Sequence, residues 1–127
     1  MHEGGRSMSI ELKTKYGHIE ISNDTIAQIC GGATVECYGI VGMASKNQIK
    51  DGLTEILRKE NYSRGVVVRK EGDQVHIDLY VIVGYGTKIS EVAHNVQEKV
   101  KYVLEKTIGL NADSVNIFVQ GVRVTSL

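Results

Sequence analysis

The 127-residue sequence has no proline, two cysteines and a single phenylalanine. Without proline, none of its predicted helices and strands contains the residue that most often interrupts such elements. Two cysteines are too few for the disulfide scaffold of a small secreted domain, and they suit a reducing cytosol. These absences favour an ordinary cytoplasmic globular domain.

Long apolar runs are also absent. The longest is LYVIV, residues 79–83, whereas a membrane-spanning helix needs about 20 apolar residues. The N-terminus shows no charged-then-apolar leader of the secretory type. We therefore expect a cytoplasmic protein without a transmembrane segment.

The chain has no excess of charge, because 15 basic and 15 acidic residues cancel. Proteins that bind nucleic acids usually carry a basic excess, since neutralisation of phosphates supplies much of their affinity. A local basic patch is still compatible with zero net charge. Nucleic acid is nevertheless not the expected partner.

The length suits one domain with one hydrophobic core. The opening MHEGGRS is polar and glycine-rich, and a second methionine, Met8, follows it. We interpret residues 1–12 as a flexible leader or an expression remnant. Residues 13–127 are expected to form the folded domain.

Hydrophobic periodicity predicts seven elements in the domain. Period-two alternation marks strands, and three- and four-residue spacing marks helices. Ser22 or Asn23 is expected to cap the first helix, and Ser90 the last. In chain order these are a strand at 17–22, a helix after it, a helix at about 47–60, a hairpin within 64–86, a helix at 90–108 and a strand within 113–124.

The order β-α-α-β-β-α-β indicates an α+β single domain with a mostly antiparallel sheet and helices packed on one face. The first helix contains Gly31 and Gly32, each of which costs about 1 kcal/mol relative to alanine. They mark either close packing against a neighbour or a break.

The stretch CGGATVECYGIVGM, residues 30–43, contains both cysteines. In a continuous helix Cys30 and Cys37 lie about 10 Å apart along the axis, too far for a disulfide. Structural zinc sites typically use close CxxC-type pairs, and this spacing is CxxxxxxC. We interpret both cysteines as small apolar residues on a buried face, and we predict no metal and no cofactor.

The same stretch ends in GIVG, formed by Gly39, Ile40, Val41 and Gly42, and then Met43. A GxxG turn between two helices is the phosphate-clamping element of a KH RNA-binding domain, which is the alternative function. The two central residues are apolar, where a phosphate clamp favours lysine or arginine. An inward turn with glycines at positive φ is the preferred interpretation.

No catalytic motif is present. GYGTKI, residues 84–89, lacks the third glycine of GxGxxG and the GK[ST] of a P-loop, and the chain has neither GxSxG nor HExxH. His76 and Asp78 lie two apart on one strand and share a sheet face, which is ordinary for a half-exposed sheet. We predict that the protein is not an enzyme.

Three segments resemble the alkaline shock protein family of Gram-positive bacteria, also described as YloU-like or Gls-type: ECYGIVGMAS, VHIDLYVIVGYGTKISEVAHNVQEKV and GLNADSVNIFVQGV. The resemblance runs from about residue 13 to residue 124 and departs from the family at Gly31–Gly32, where relatives usually keep stronger helix formers. It implies a small cytoplasmic, non-enzymatic protein of general and cell-envelope stress with a binding or scaffold role. Such a protein acts by self-association or docking to a protein partner, and it associates with the membrane only through a partner.

The surface expected to bind is the sheet face opposite the helices. We predict that it displays His76, Tyr80, Ile82 and Phe118, the last being the only phenylalanine of the chain. An aromatic residue on the polar side of its strand needs an explanation, because exposed apolar patches often mark contacts. This face, or the edge of the final strand, is the candidate site.

Overall fold

The computed structural model describes residues 9–46 and 55–124. Two sheets, two α-helices and one short 3-10 helix make up this part of the chain. The elements are β1 (Ser9–Thr14), β2 (Gly17–Ser22), α1 (Asn23–Val35), β3 (Ile40–Met43), the 3-10 helix (Lys59–Gly65), β4 (Val66–Glu71), β5 (Gln74–Gly84), α2 (Ile89–Ile108) and β6 (Ser114–Arg123).

The main sheet is organised around β5. Strands β4 and β3 pair antiparallel with successive halves of one side of β5, and β6 pairs parallel with its other side. The parallel pairing follows from α2, which carries the chain back to the starting end of β5. The predicted α+β class, the mostly antiparallel sheet and the order of the predicted elements are confirmed, and β1 and β3 are additional strands.

The hydrophobic core lies between one face of this sheet and the two α-helices. Every second residue of β5 faces the helices, and α2 contributes residues at three- and four-residue spacing. The fully buried core members from these two elements are Ile77, Leu79, Val81, Val83, Val96, Val100 and Leu104.

Helix α1 is continuous through its glycine pair. Its N-cap is Ser22, one of the two predicted residues, whose Oγ accepts a hydrogen bond from the Thr25 amide at 3.1 Å. A Cβ added at Gly31 would lie 2.7 Å from the Cβ of Tyr62, whereas one added at Gly32 would meet nothing within 4 Å. Gly31 therefore marks close packing of α1 against the 3-10 helix and does not break α1.

Helix α2 begins one residue earlier than expected. Its N-cap is Lys88, which makes no side-chain capping bond, so the predicted cap at Ser90 is wrong. Ser90 already lies in the first turn, beyond the flanking position from which a hydroxyl caps a helix. The helix ends as predicted at Gly109, which has a φ of 71° and adopts the left-handed conformation.

Strand β1 starts at Ser9, before the start expected for the folded domain at residue 13. This strand pairs with β2, placing Ile10 opposite Ile21 and Leu12 opposite Ile19. Ile10 is 3% exposed and belongs to the core, so its burial orders a segment that the sequence assigned to a leader. Residues 1–8 lie outside the described residues.

The second predicted helix, 47–60, falls mainly on residues 47–54, which lie outside the described residues. Residues 55–58 are not helical, and the chain becomes helical only at Lys59. Ile56 forms an isolated antiparallel bridge with Ala44, which ties the returning chain to the end of β3.

Candidate functional site: the outer face and free edge of the main sheet

The face of the main sheet that points away from the helices is called here the outer face. In β5 it carries the residues that alternate with the core set, and directly paired residues of neighbouring strands share that face. Its members are Val67 and Arg69 of β4, His76, Asp78, Tyr80 and Ile82 of β5, and Ser114, Asn116 and Phe118 of β6.

Asp78 is the centre of a polar cluster on this face. Its Oδ2 accepts from Arg69 Nε at 2.9 Å, and its Oδ1 accepts from Arg69 Nη2 at 3.1 Å. The Asn116 amide also donates to Oδ1, at 2.8 Å. The Asp78 side chain is only 11% exposed, so these donors replace the water that an exposed carboxylate would bind.

These contacts decide the ionisation of Asp78. Burial acts to raise the pKa of Asp78, but hydrogen bonds from Arg69 and Asn116, followed by the positive charges of Arg69 and His76, hold it below its ordinary value. The hydrogen bond with Asp78 in turn raises the pKa of Arg69. Both shifts favour the ionised pair.

His76 lies at the start of the same face and has its own partners. Its Nδ1 lies 2.7 Å from Ser114 Oγ, and its Nε2 lies 3.3 Å from Gln74 Oε1 and 3.6 Å from Glu71 Oε1. The hydrogen bonds of Asp78 go elsewhere. The two residues therefore act as parts of a cross-strand network that holds β4, β5 and β6 together, and nothing in this geometry points to catalysis.

The aromatic members of the outer face form a stacked pair. The rings of Tyr80 and Phe118 lie 4.8 Å apart between centroids, with an interplanar angle of 15°. Tyr80 is half-buried, and Phe118 is 42% exposed. One side of the Phe118 ring therefore packs on Tyr80 across the β5–β6 ladder, and the residue still presents apolar surface at the outer strand.

Ile82 is placed on the outer face but not on its surface. It is 0% exposed, which corrects its inclusion among the displayed residues. Its register partners are two glycines, Gly42 on β3 and Gly121 on β6, so neither neighbour fills space beside it with a side chain. A Cβ at Gly42 would lie 2.7 Å from Ile56 Cγ2, which shows that the chain after residue 54 returns over this end of the sheet.

The structure therefore brings Tyr80 and Phe118 into direct contact, places His76 four residues along the same face, and buries Ile82. It also reveals a feature that the residue pattern alone left undefined. Within the described residues, β6 is an edge strand of the main sheet, and its exposed residues include Val119 and Val122. The sequence signal is the lack of any charged residue from 114 to 122.

The GIVG segment is not a turn between helices. Residues 40–43 form β3, which pairs with β5. Gly39 precedes this strand with a positive φ of 91°, and its backbone packs closely against α2. The Gly39 carbonyl accepts from the Gly84 amide at 2.9 Å, and a Cβ at Gly39 would meet Val92. The backbone that a KH domain would offer to phosphates is therefore engaged in strand pairing and in contact with α2. The predicted turn at Gly39–Gly42 is wrong, because residues 40–43 form a strand.

A shallow groove of about 360 Å³ lies beside β6. It is lined by His94, Gln97, Glu98 and Lys101 of α2 and by residues 114–116. Gln97 Nε2 donates to the Val115 carbonyl at 2.9 Å, which attaches α2 to the start of β6. Its lining includes the oppositely charged Glu98 and Lys101, and His94 Nε2 lies 3.2 Å from Glu98 Oε2, so the groove offers no excess of one charge.

Both cysteines are free thiols. Cys30 is fully buried in the core, and burial raises its pKa to about 12. Cys37 lies just beyond α1 and is half-buried; burial raises its pKa, while the nearby charge of Lys99 lowers it and that of Glu36 raises it.

Neither a metal cluster nor a membrane-spanning helix is found in the part of the chain that the structure describes. Within residues 9–46 and 55–124, no three His, Cys, Asp or Glu side chains are arranged to hold a metal ion. In the same ranges, no helix has the length and apolar character required of a membrane span.

Comparison with known proteins places this geometry in a family. Residues 11–124 match the model of the alkaline shock protein 23 family, which is described as having a cell envelope-related function. The chain is 77% identical over 119 residues to the uncharacterized protein YloU of Bacillus subtilis strain 168, covering 94% of this chain and 99% of that protein. It is 50% identical over 117 residues to the uncharacterized protein Spy1614 of Streptococcus pyogenes serotype M6, covering 92% and 97%.

A more distant relative is the uncharacterized protein YqhY of Bacillus subtilis strain 168, at 32% identity over 110 residues, covering 87% of this chain and 80% of that protein. The comparison with solved structures found no match. The resemblance predicted from the three sequence segments is confirmed. Because nearly the whole domain matches and two relatives align over almost their full length, the chain belongs to the alkaline shock protein family, whose function is related to the cell envelope.

Proposed function

We propose that this protein is a non-enzymatic binding or scaffold protein of the cell envelope that acts through the outer face and free edge of its main sheet. The main support is the stacked pair of Tyr80 and Phe118, in which Phe118 remains 42% exposed. A large apolar ring on a surface position is the kind of residue that anchors protein contacts. Family membership supports a role at the envelope.

The polar part of the outer face supports binding in preference to chemistry. The carboxylate of Asp78 and the ring of His76 already have hydrogen-bond partners within the sheet. A general acid or base must instead reach a substrate proton from a shaped pocket. The network keeps the sheet rigid beside Phe118, which lowers the entropic cost of docking a partner there.

The proposal extends to location and physiology. The protein acts on the cytoplasmic side of the envelope, attaches to the membrane through a protein partner, and serves the response to envelope stress. Its working domain extends from β1 to β6, and the residues before β1 are dispensable for docking. The family description and the balanced charge of the chain support this view, since a surface without basic excess suits protein partners better than phosphates.

In-cell photocrosslinking tests the proposal. A photoreactive phenylalanine analogue replaces Phe118, and the same analogue replaces Tyr102 of α2, which is 61% exposed, as the matched control. We expect protein adducts at position 118, recovered with the envelope fraction, and a background level at position 102. Equal labelling at both positions, or adducts with nucleic acid alone, contradicts the proposed function.

A further inference from the structure

We propose that β6 is a self-association edge, which pairs antiparallel with β6 of a second copy of the chain about a twofold axis beside Phe118. The inference rests on the proposed function of this surface and names its partner. It would join two main sheets into one continuous sheet.

The length and composition of β6 support this assignment. The strand has ten residues, and within the described part of the chain no strand pairs with its outward side. Its only charged residue is Arg123, at the end. Edge strands that must stay unpaired normally carry charges, especially lysine, or are very short.

The opposite side of the main sheet shows both of those protections. Strand β4 ends in Arg69, Lys70 and Glu71, so half of its six residues are charged. Strand β3 has only four residues. Among the described residues, one side of the sheet is therefore protected against pairing, whereas the middle of β6, beyond the Gln97 contact at Val115, lacks such protection.

Exposed apolar residues occur on both faces of β6. Phe118 projects on the outer face, while Val119 and Val122 are 37% and 49% exposed. An added strand would cover these side chains on both faces and, beyond the Val115 carbonyl that Gln97 already binds, satisfy the outward backbone groups near residue 118. A bulge between Val119 and Gly121 bends the strand, so regular pairing is expected to centre before it.

A second copy fits this edge better than an unrelated strand of arbitrary charge. Twofold pairing brings the same patch of each copy together. With residue 118 opposite its symmetry mate, the rings of Tyr80 and Phe118 continue into those of the other copy as one aromatic row. Near residue 118 the strand has no charged side chain, so twofold pairing would not place like charges opposite each other. The zero net charge of the chain also lets two copies approach without long-range repulsion.

Sedimentation of the full chain over a concentration series tests the inference. We expect a reversible dimer whose dissociation constant rises by about thirtyfold or more in Phe118→Lys and in Phe118→Glu, since each places like charges opposite one another. An equimolar mixture of the two variants should regain the dimer, because the opposing charges then attract. Tyr102→Lys, which changes an exposed aromatic residue on α2, should sediment like the wild type.

Recovery of the dimer by mixing also shows that both variants are folded. If circular dichroism shows either variant unfolded, Val119→Lys, which lies before the bulge and next to Phe118, replaces it, and a weaker dimer is again expected. A wild type that is monomeric at every concentration, or charged variants that dimerise as well as the wild type, overturns self-pairing. A monomer that still crosslinks to another protein at position 118 contradicts self-pairing but leaves the proposed function intact. A monomer that gives no crosslinks at position 118 contradicts both proposals.

Discussion

At the scale of single residues, the outer face contains a carboxylate with all of its contacts inside the sheet and an aromatic ring that is still partly exposed to water. Asp78 receives donors from Arg69 and Asn116, and is nearly removed from water. Phe118 has one stacked neighbour and 42% exposure. The hydrogen bonds of Asp78 stabilise the pairing of β4, β5 and β6. Burial of the exposed part of the Phe118 ring by a partner would stabilise a complex.

Replacement of Asp78 by asparagine should lower the free energy of unfolding at pH 7 by about 2 kcal/mol, because charge-assisted hydrogen bonds to Arg69 are lost in a poorly hydrated position. Asp73→Asn, in the exposed β4–β5 turn, is the control and should change stability by less than about 0.5 kcal/mol. Urea unfolding measures both. Equal effects would show that the Asp78 network does not stabilise the fold.

The Asp78 contribution has a defined pH dependence. Because the folded-state pKa lies below the ordinary value, the contribution is fully present above the unfolded pKa of about 4 and is lost as pH falls through the folded value. The stability difference between wild type and Asp78→Asn should therefore shrink in acid. A difference that is constant from pH 7 down to about pH 2 contradicts this linkage.

Cys30 and Cys37 should differ in reactivity with a thiol reagent at about pH 8. Burial raises the pKa of Cys30 to about 12, so its reactive thiolate is scarce and shielded, whereas Cys37 is half-buried near the protein surface. We expect Cys37 to be modified first in the native protein, and Cys30 only after unfolding. Peptide mapping of the labelled protein checks the order, and early labelling of Cys30 would show that the core opens there.

At the scale of secondary elements, the glycine pair of α1 separates helix propensity from packing. Gly31 faces Tyr62 of the 3-10 helix at a distance that leaves no room for a methyl group, while Gly32 faces open space. The same dipeptide therefore contains one glycine required by a neighbour and one that only weakens the helix.

Alanine substitution should accordingly have opposite signs at these neighbouring positions. Gly31→Ala should destabilise the protein by about 1–3 kcal/mol, because either α1 or Tyr62 must shift. Gly32→Ala should stabilise it by about 0.5–1 kcal/mol through helix propensity alone. Thermal unfolding measures both effects, and each variant is the matched control for the other. A stabilising Gly31→Ala would show that the 3-10 helix packs more loosely on α1.

At the scale of the whole molecule, the proposed pairing of two copies depends on the balanced charge of the chain and on the difference between the two edges of the main sheet. Association through an apolar, uncharged strand should depend weakly on salt, so the dimer dissociation constant should change less than about threefold between about 50 and 500 mM NaCl. Binding to RNA phosphates would weaken by orders of magnitude over this range. Sedimentation and fluorescence titration with single-stranded RNA measure both quantities. Tight, salt-sensitive RNA binding would favour the KH-like alternative.

Local patterns predicted much of the domain because their physics is local. Alternation placed the β4–β5 hairpin, 3.6-residue periodicity placed α2, and Gly109 marked its end. Prediction was wrong where long-range contacts outweighed local signals. Ile10 is ordered by the core, and residues 40–43 pair with the far end of β5 instead of forming a turn.

The candidate site divides in the same way. Alternation along β5 assigned His76, Tyr80 and Ile82 to one face, and zero net charge, family resemblance and the lack of catalytic motifs followed from the residues alone. Only the tertiary structure decided that Ile82 is covered, that Phe118 stacks on Tyr80, and that β6 is an outer strand. The physical reason is that side-chain direction depends on neighbouring residues, whereas burial and strand order depend on segments brought together from distant parts of the chain.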